Sequence, residues 1–228
     1  MLEYVLIGAV VVGLGAMVYF LNKGVKEAHK KRAELAEEKG WTYKPVTSKA
    51  VWNVPFNDRN IRYRMEGVVG DGTPWEITAR YHKNISSKTK SSNTKRELLP
   101  SSEMILQKPL GGNFLIMRKA GFNVPGFAMG AIFGKLGFPA NVPQLKDEEV
   151  PAELAGSFDV YSDNPGNLEY IKAVAPALVE WGSKYSGKKG DIALSATSQG
   201  SKLRVEWSLE KPEDIVAFVN TGNSLLSQ

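Results

Sequence analysis

Cysteine is absent from the chain, and histidine occurs only at His29 and His82. The lack of cysteine excludes a disulfide framework and any thiolate zinc site. Two isolated histidines give no metal-ligand spacing. No Gly-x-Ser-x-Gly motif is present, and the glycine-containing stretches GAIFGKL and GKKGD lack the spacing and hydroxyl residue of a phosphate-binding loop. The sequence therefore predicts no metal, no cofactor and a role other than catalysis.

Basic residues are also absent from the first 22 positions, which an uncharged apolar run dominates. Residues 4–21 would form a helix about 27 Å long at 1.5 Å per residue, close to the roughly 30 Å thickness of a bilayer core. A secretory signal peptide would carry positive charge before the run and a small-residue cleavage site after it, and neither is found. Residues 1–22 are therefore predicted to be a transmembrane anchor, with residues 4–21 in contact with lipid.

Positive charge begins directly after this run, in a segment predicted to be a helical stalk over residues 23–40. The basic side chains near its start are Lys23, Lys26, Lys30, Lys31 and Arg32. Because basic flanks resist translocation, the N-terminus is predicted to lie outside the cell membrane and the C-terminal domain in the cytoplasm. The five side chains are candidates for contact with the membrane surface.

A second basic segment, residues 83–96, contains no acid and no aromatic residue. Nucleic-acid binders usually place aromatic rings among their basic side chains, so nucleic acid is not the predicted partner. Residues 83–97 are predicted to be a long mobile loop. Its contact with anionic lipid headgroups would use Lys88, Lys90, Lys95 and Arg96; a solvated, disordered hairpin extension is the alternative.

The rest of the chain, residues 41–228, is predicted to be one α+β domain with a mainly antiparallel sheet and packed helices. Alternating apolar side chains predict hairpins over residues 61–82 and 191–208, the second with Trp207 facing inward. Residues 101–108 and 113–119 are predicted to pair with each other, and helices are predicted near 166–185 and after 212. The acidic stretch 140–157 is a connector at which the domain could divide.

Glycines recur every fourth residue in the apolar segment 120–139, at Gly126, Gly130 and Gly134. On a helix they would form one flat strip that lets another backbone approach closely, with Phe127 and Phe133 on other faces. Three interpretations stay open: an internal helix or loop packed in the core, an element dipping into the membrane interface, or a docking surface for a partner protein.

Three stretches carry a family resemblance: AELAEEKGWTYKP, ELAGSFDVYSDNPGNLEYIKAVAPALVEW and LSATSQGSKLRVEWSLEKPEDIVAFV. Together they resemble a family of uncharacterised bacterial membrane-anchored domains of unknown function. The resemblance covers most of the chain after residue 33. It implies the layout of anchor, strands and helices, and it implies no activity, substrate or site residue.

The sequence favours a single-pass membrane-anchored protein whose cytoplasmic domain binds or scaffolds an unknown protein partner at the membrane face. Two alternatives come from other classes. A sensor or carrier of a small molecule or lipid would have a pocket lined by its tryptophans, Trp41, Trp52, Trp75 and Trp207. A hydrolase with an unfamiliar site would have acidic side chains converging on His82 in a cleft.

Overall fold

The computed structural model describes residues 2–46, 60–89, 92–106, 112–119, 126–198 and 200–226. A single helix, α1 (Leu2–Lys39), covers both the predicted anchor and the predicted stalk. It ends where Gly40 adopts φ 68°, a left-handed conformation that glycine adopts without a steric penalty. The amides of Gly40 and Trp41 then cap the carbonyls of Glu37 and Ala36, at 3.2 and 2.7 Å.

Within the described part of the chain, no helix offers a stretch long and apolar enough to cross a membrane. Most side chains of the predicted anchor, residues 4–21, lie outside the described set. The transmembrane anchor therefore stays a prediction.

Among the described residues, ten strands follow α1, and eight of them form one antiparallel sheet. In chain order the strands are β1 (Thr42–Pro45), β2 (Ile61–Val68), β3 (Pro74–Arg80), β4 (Lys83–Thr89), β5 (Ser92–Leu98), β6 (Ser101–Leu106), β7 (Phe114–Arg118), β8 (Phe158–Ser162), β9 (Ile192–Thr197) and β10 (Gly200–Val205). The large sheet has the order β1-β2-β3-β6-β10-β9-β7-β8, and β4 and β5 form a separate hairpin. The predicted α+β class with an antiparallel sheet is confirmed.

In the ranges that the structure describes, three more α-helices pack with the sheet: α2 (Gly126–Leu136), α3 (Asn167–Lys184) and α4 (Pro212–Leu226). The main core joins one face of the sheet to the end of α1 and to α3 and α4. A smaller cluster joins α2 to the other face. Successive residues of β7 show the division, since Ile116 belongs to the main core and Leu115 to the α2 cluster.

The two predicted hairpins are confirmed, as β2–β3 and β9–β10. The helix predicted near 166–185 is α3, with Ile171, Val174, Leu178 and Trp181 buried along one stripe. The connector 140–157 contributes Val150 and Leu154 to the main core and Val142 to the α2 cluster. Its buried residues thus tie it to both sides of the sheet.

Three expectations were wrong. Residues 83–89 and 92–97 pair as strands β4 and β5 instead of forming a mobile loop, because strand pairing satisfies the backbone without apolar side chains. β6 and β7 do not pair with each other: β6 lies between β3 and β10, and β7 between β9 and β8. Trp207 is 45% exposed, because β10 ends at Val205 and the inward–outward alternation ends with it.

Candidate functional site

Helix α1 is fixed to the domain by Arg32, whose side chain is only 1% exposed. Its Nε donates a hydrogen bond to the Glu210 carbonyl at 3.1 Å, and its guanidinium lies 5.0 Å from the centre of the Tyr63 ring. The Tyr63 hydroxyl in turn donates to the Leu209 carbonyl at 2.6 Å. The segment before α4 is thus bound from two sides, by the helix and by the sheet.

Polar and apolar contacts extend this attachment along α1. His29 Nδ1 is hydrogen-bonded to the Tyr43 hydroxyl, and Arg62 forms an ion pair with the Glu210 carboxylate. Leu35 and Ala36, one turn beyond Arg32, are buried in the main core. Burial, followed by the positive charges of Arg32 and Arg62, lowers the pKa of His29, and burial raises the pKa of Tyr63.

The lowered pKa of His29 predicts that acid weakens the folded state. The unfolded chain binds a proton at His29 near the ordinary pKa of about 6.5, whereas the folded chain binds it only at lower pH. Stability should therefore fall as pH drops from about 6.5 through the folded-state pKa. Urea midpoints at several pH values would show this decline, and His29→Gln should flatten it. An unchanged slope in His29→Gln would contradict the assignment.

The contacts of α1 also show how the helix and strand β2 are oriented relative to each other. Trp41, just after α1, packs against Trp75 with ring centres 5.2 Å apart, near the end of β2, where Gly67 pairs with Trp75. Arg32, nine positions earlier, meets Tyr63 near the start of β2. The helix and β2 therefore run in the same direction. The start of β2 points toward the predicted anchor.

The antiparallel registers bring further segments to that same end of the sheet. Arg80 pairs with Ile61 and with Ser101, and Val205 pairs with Ser102 and with Ile192. This end, which we name the anchor-side end, therefore holds residues 61–62, 80–83, 99–102 and 205–211, with 186–192 beside them. The β4–β5 hairpin leaves the sheet from this end.

A cleft of about 520 Å³ opens at the anchor-side end, between the 3₁₀ turn Gly187–Lys189 and the start of α4. Its lining residues are Ser186, Lys188, Lys189, Trp207, Glu210, Lys211 and Asp214. Trp181 Nε1 donates to the Lys189 carbonyl at 2.9 Å, which fixes the turn to the buried face of α3. The wall of the cleft is thereby attached to the main core.

Two carboxylates in the cleft are neutralised by neighbouring cations. Asp214 accepts from Lys189 Nζ at 2.5 Å, and Glu210 is paired with Arg62. Lys188 and Lys211 are exposed, and neither forms an ion pair with any described residue. Burial, then Asp214 and Glu213, raise the pKa of Tyr185 beside the cleft to about 12. The cleft thus has two free cations beside an exposed indole.

The predicted membrane-surface residues occupy different environments. Lys23, Lys26, Lys30 and Lys31 are exposed on α1, with Lys23 and Lys30 near Glu27 and Glu34, at 4.0 and 3.7 Å. Arg32 does not join them, because its guanidinium is buried against Tyr63. Lys88, Lys95 and Arg96 belong to the β4–β5 hairpin but their side chains lie outside the described set, as does the whole of Lys90.

Two glycines of the strip lie on the outward side of α2. Gly130 and Gly134 are exposed, and a methyl group built on either would meet nothing within 4 Å. Phe133 is buried instead, with its ring centre 5.0 Å from that of Tyr161. Gly126 opens the helix, and its surroundings and the Phe127 side chain lie outside the described set.

The open space around Gly130 predicts that Gly130→Ala raises the free energy of unfolding by up to about 1 kcal/mol, the helix-propensity gain. Gly222→Ala is the matched control in α4, because its methyl group would collide with the buried Met104 side chain and should cost about 1–3 kcal/mol. Urea unfolding measures both. A loss of stability in Gly130→Ala would show that this face is packed against protein.

The residues of the two alternative functions do not converge among the described residues. Trp41 and Trp75 lie at the end of the sheet opposite Trp207, and Trp52 lies outside the described set. His82 is exposed between β3 and β4. In the described part of the chain, no three His, Asp or Glu side chains come together as a metal site.

No protein-family model matches this chain, and no curated protein matches it. The family resemblance seen in the sequence therefore stays a prediction. A solved structure with some similarity is that of the mycobacterial trehalose monomycolate transport factor A, TtfA, at 12% sequence identity and a TM-score of 0.45. The similarity covers 87% of this chain and 94% of that chain. The likeness is weak, and the proposals below rest on the geometry of this chain alone.

Proposed function

We propose that this chain is a single-pass membrane-anchored binding domain without catalytic activity, held at the cytoplasmic face of the cell membrane. The observation that carries the proposal is the buried attachment of Arg32 to Glu210 and Tyr63. Because of this attachment, the helix that follows the predicted anchor belongs to the domain. The domain would then face the bilayer with a fixed side instead of turning freely on a linker.

The distance along α1 supports a position near the membrane surface. Arg32 follows Leu21, the last residue of the apolar run, by eleven positions, or about 16 Å of helix. The headgroup region of a bilayer occupies roughly 5–7 Å of that distance. The anchor-side end would therefore lie close to the headgroups, and the opposite end of the sheet and the exposed face of α2 would be available to a protein partner.

Cysteine labelling tests the proposed topology. Because the chain has no native cysteine, only the introduced thiol can react. Ser92→Cys places a thiol in β5, and Glu3→Cys places one before the apolar run of residues 4–21. A membrane-impermeant maleimide should label Glu3→Cys in intact cells and Ser92→Cys only after permeabilisation. The reverse pattern would place the domain outside the cytoplasm, and labelling of both sites in intact cells would show that the chain does not span the membrane.

A further inference from the structure

The cleft at the anchor-side end has the composition of a binding site for an anionic amphiphile. Its exposed surface combines the Trp207 indole with the ammonium groups of Lys188 and Lys211. Because Asp214 and Glu210 already have cationic partners, the two lysines give the cleft an unbalanced positive charge. A volume of about 520 Å³ lies within the range of small-molecule sites.

The exposed indole of Trp207 gives the cleft an apolar surface beside its cations. A large aromatic side chain that is 45% exposed forgoes part of the free energy gained by burying apolar surface. Indole rings are enriched where an apolar environment meets a polar one, as at a membrane interface. A ligand with a charged headgroup and an apolar portion would satisfy both the lysines and the indole.

We propose that this cleft binds the phosphate headgroup of an anionic amphiphile. Lys188 and Lys211 contact the phosphate, and Trp207 packs against the adjoining apolar part. Lys189 supports the site: it is held by Asp214 and lies 4.6 Å from the centre of the Tyr185 ring. The source expected from the proposed function is a lipid of the facing leaflet, and to that extent the inference rests on the proposed function.

The first test uses the full chain in nanodiscs of phosphatidylcholine, titrated with water-soluble dihexanoyl phosphatidylglycerol. The readout is the fluorescence of Trp207, taken as the difference between the native chain and Trp207→Phe. We expect a saturable change. The double variant Lys188→Gln/Lys211→Gln should bind about 30-fold more weakly, at roughly 1 kcal/mol for each basic group. Lys146→Gln/Lys172→Gln, which removes the same charge from exposed sites elsewhere, should bind like the native chain.

Several results would overturn the proposal. Absence of a saturable Trp207 signal would exclude the site. If both double variants bound the probe equally weakly, the binding would be general charge attraction and not a property of the cleft. Equal affinity for dihexanoyl phosphatidylcholine would exclude selection of an anion. Inorganic phosphate that competes as strongly as the amphiphile would show a free-phosphate site and exclude the apolar contact.

A second arm separates this inference from the proposed function. The soluble probe reaches the cleft whichever way the anchor-side end faces, whereas long-chain phosphatidylglycerol placed in the nanodisc reaches it only if that end faces the bilayer. A Trp207 response to both supports the ligand and the placement. A response to the soluble probe alone supports the ligand chemistry and contradicts both the placement and the bilayer as the source.

Discussion

Replacing Arg32 with glutamate should lower the free energy of unfolding of the domain by about 3 kcal/mol and release α1 from it. The substitution removes the hydrogen bond to the Glu210 carbonyl and the contact with the Tyr63 ring. A hydrogen bond to a charged group is worth about 1.5–3 kcal/mol and a buried cation–π contact about 2 kcal/mol, partly offset by the cost of burying the charge. The glutamate would also meet the backbone carbonyl of Glu210 with no donor in place of the guanidinium.

The neighbouring residue gives a matched control for Arg32. Lys31 is exposed on the same turn, so Lys31→Glu makes the same change in charge with an expected effect within about 0.5 kcal/mol. Urea unfolding of the full chain in nanodiscs measures the stability, and hydrogen exchange at Leu35 and Ala36 reports whether α1 stays attached. Equal behaviour of the two variants would contradict the role given to Arg32.

Truncating Trp181 should have a comparably large effect, because this ring supports both the core and the cleft. Trp181 is 2% exposed, and its ring centre lies 4.3 Å from that of Tyr185 and 5.5 Å from that of Phe218. Trp181→Ala should cost about 4 kcal/mol, as expected for removal of a large buried aromatic side chain. The Lys189 carbonyl would also lose its donor, so the turn that forms one wall of the cleft should loosen.

A phenylalanine at this position separates packing from hydrogen bonding. Trp181→Phe keeps an aromatic ring and loses the part-buried hydrogen bond to the Lys189 carbonyl. This loss should lower the free energy of unfolding by about 1 kcal/mol. Denaturation midpoints give the stability of both variants, and hydrogen exchange at residues 187–190 reports the turn. If Trp181→Ala lowers the free energy of unfolding by less than 1 kcal/mol, or if the turn is as protected in both variants as in the native chain, Trp181 does not have the supporting role described.

The sequence predicts the local elements well and their arrangement poorly. Alternating side chains identify β2–β3 and β9–β10 because each hairpin pairs neighbouring segments. The position of β6 between β3 and β10 depends on residues about 100 positions apart, Met104 and Leu203 for example, and no local pattern encodes it. The polar β4–β5 hairpin gave no apolar alternation from which strands could be predicted.

The candidate site was only partly accessible from sequence. Arg32 looks like the four lysines before it when charge alone is considered. Helical spacing gives a signal that distinguishes it, since Arg32 shares a face with Ala28, Leu35 and Ala36 at intervals of three and four residues. The cleft combines residues 186–189 with 207–214, and the isolated GKKGD motif did not indicate the exposed tryptophan that would lie beside it.

The central claim, that α1 and the domain form one rigid unit at the membrane, can be tested by a single distance. Spin labels on Lys26→Cys in α1 and Lys184→Cys at the end of α3 would report it in the full chain in nanodiscs, since both positions are exposed and no native cysteine competes. We predict one narrow distance distribution that becomes broad when Arg32→Glu is added. A broad distribution in the parent chain would show that the helix moves independently of the domain, and would contradict the fixed orientation from which the proposed function follows.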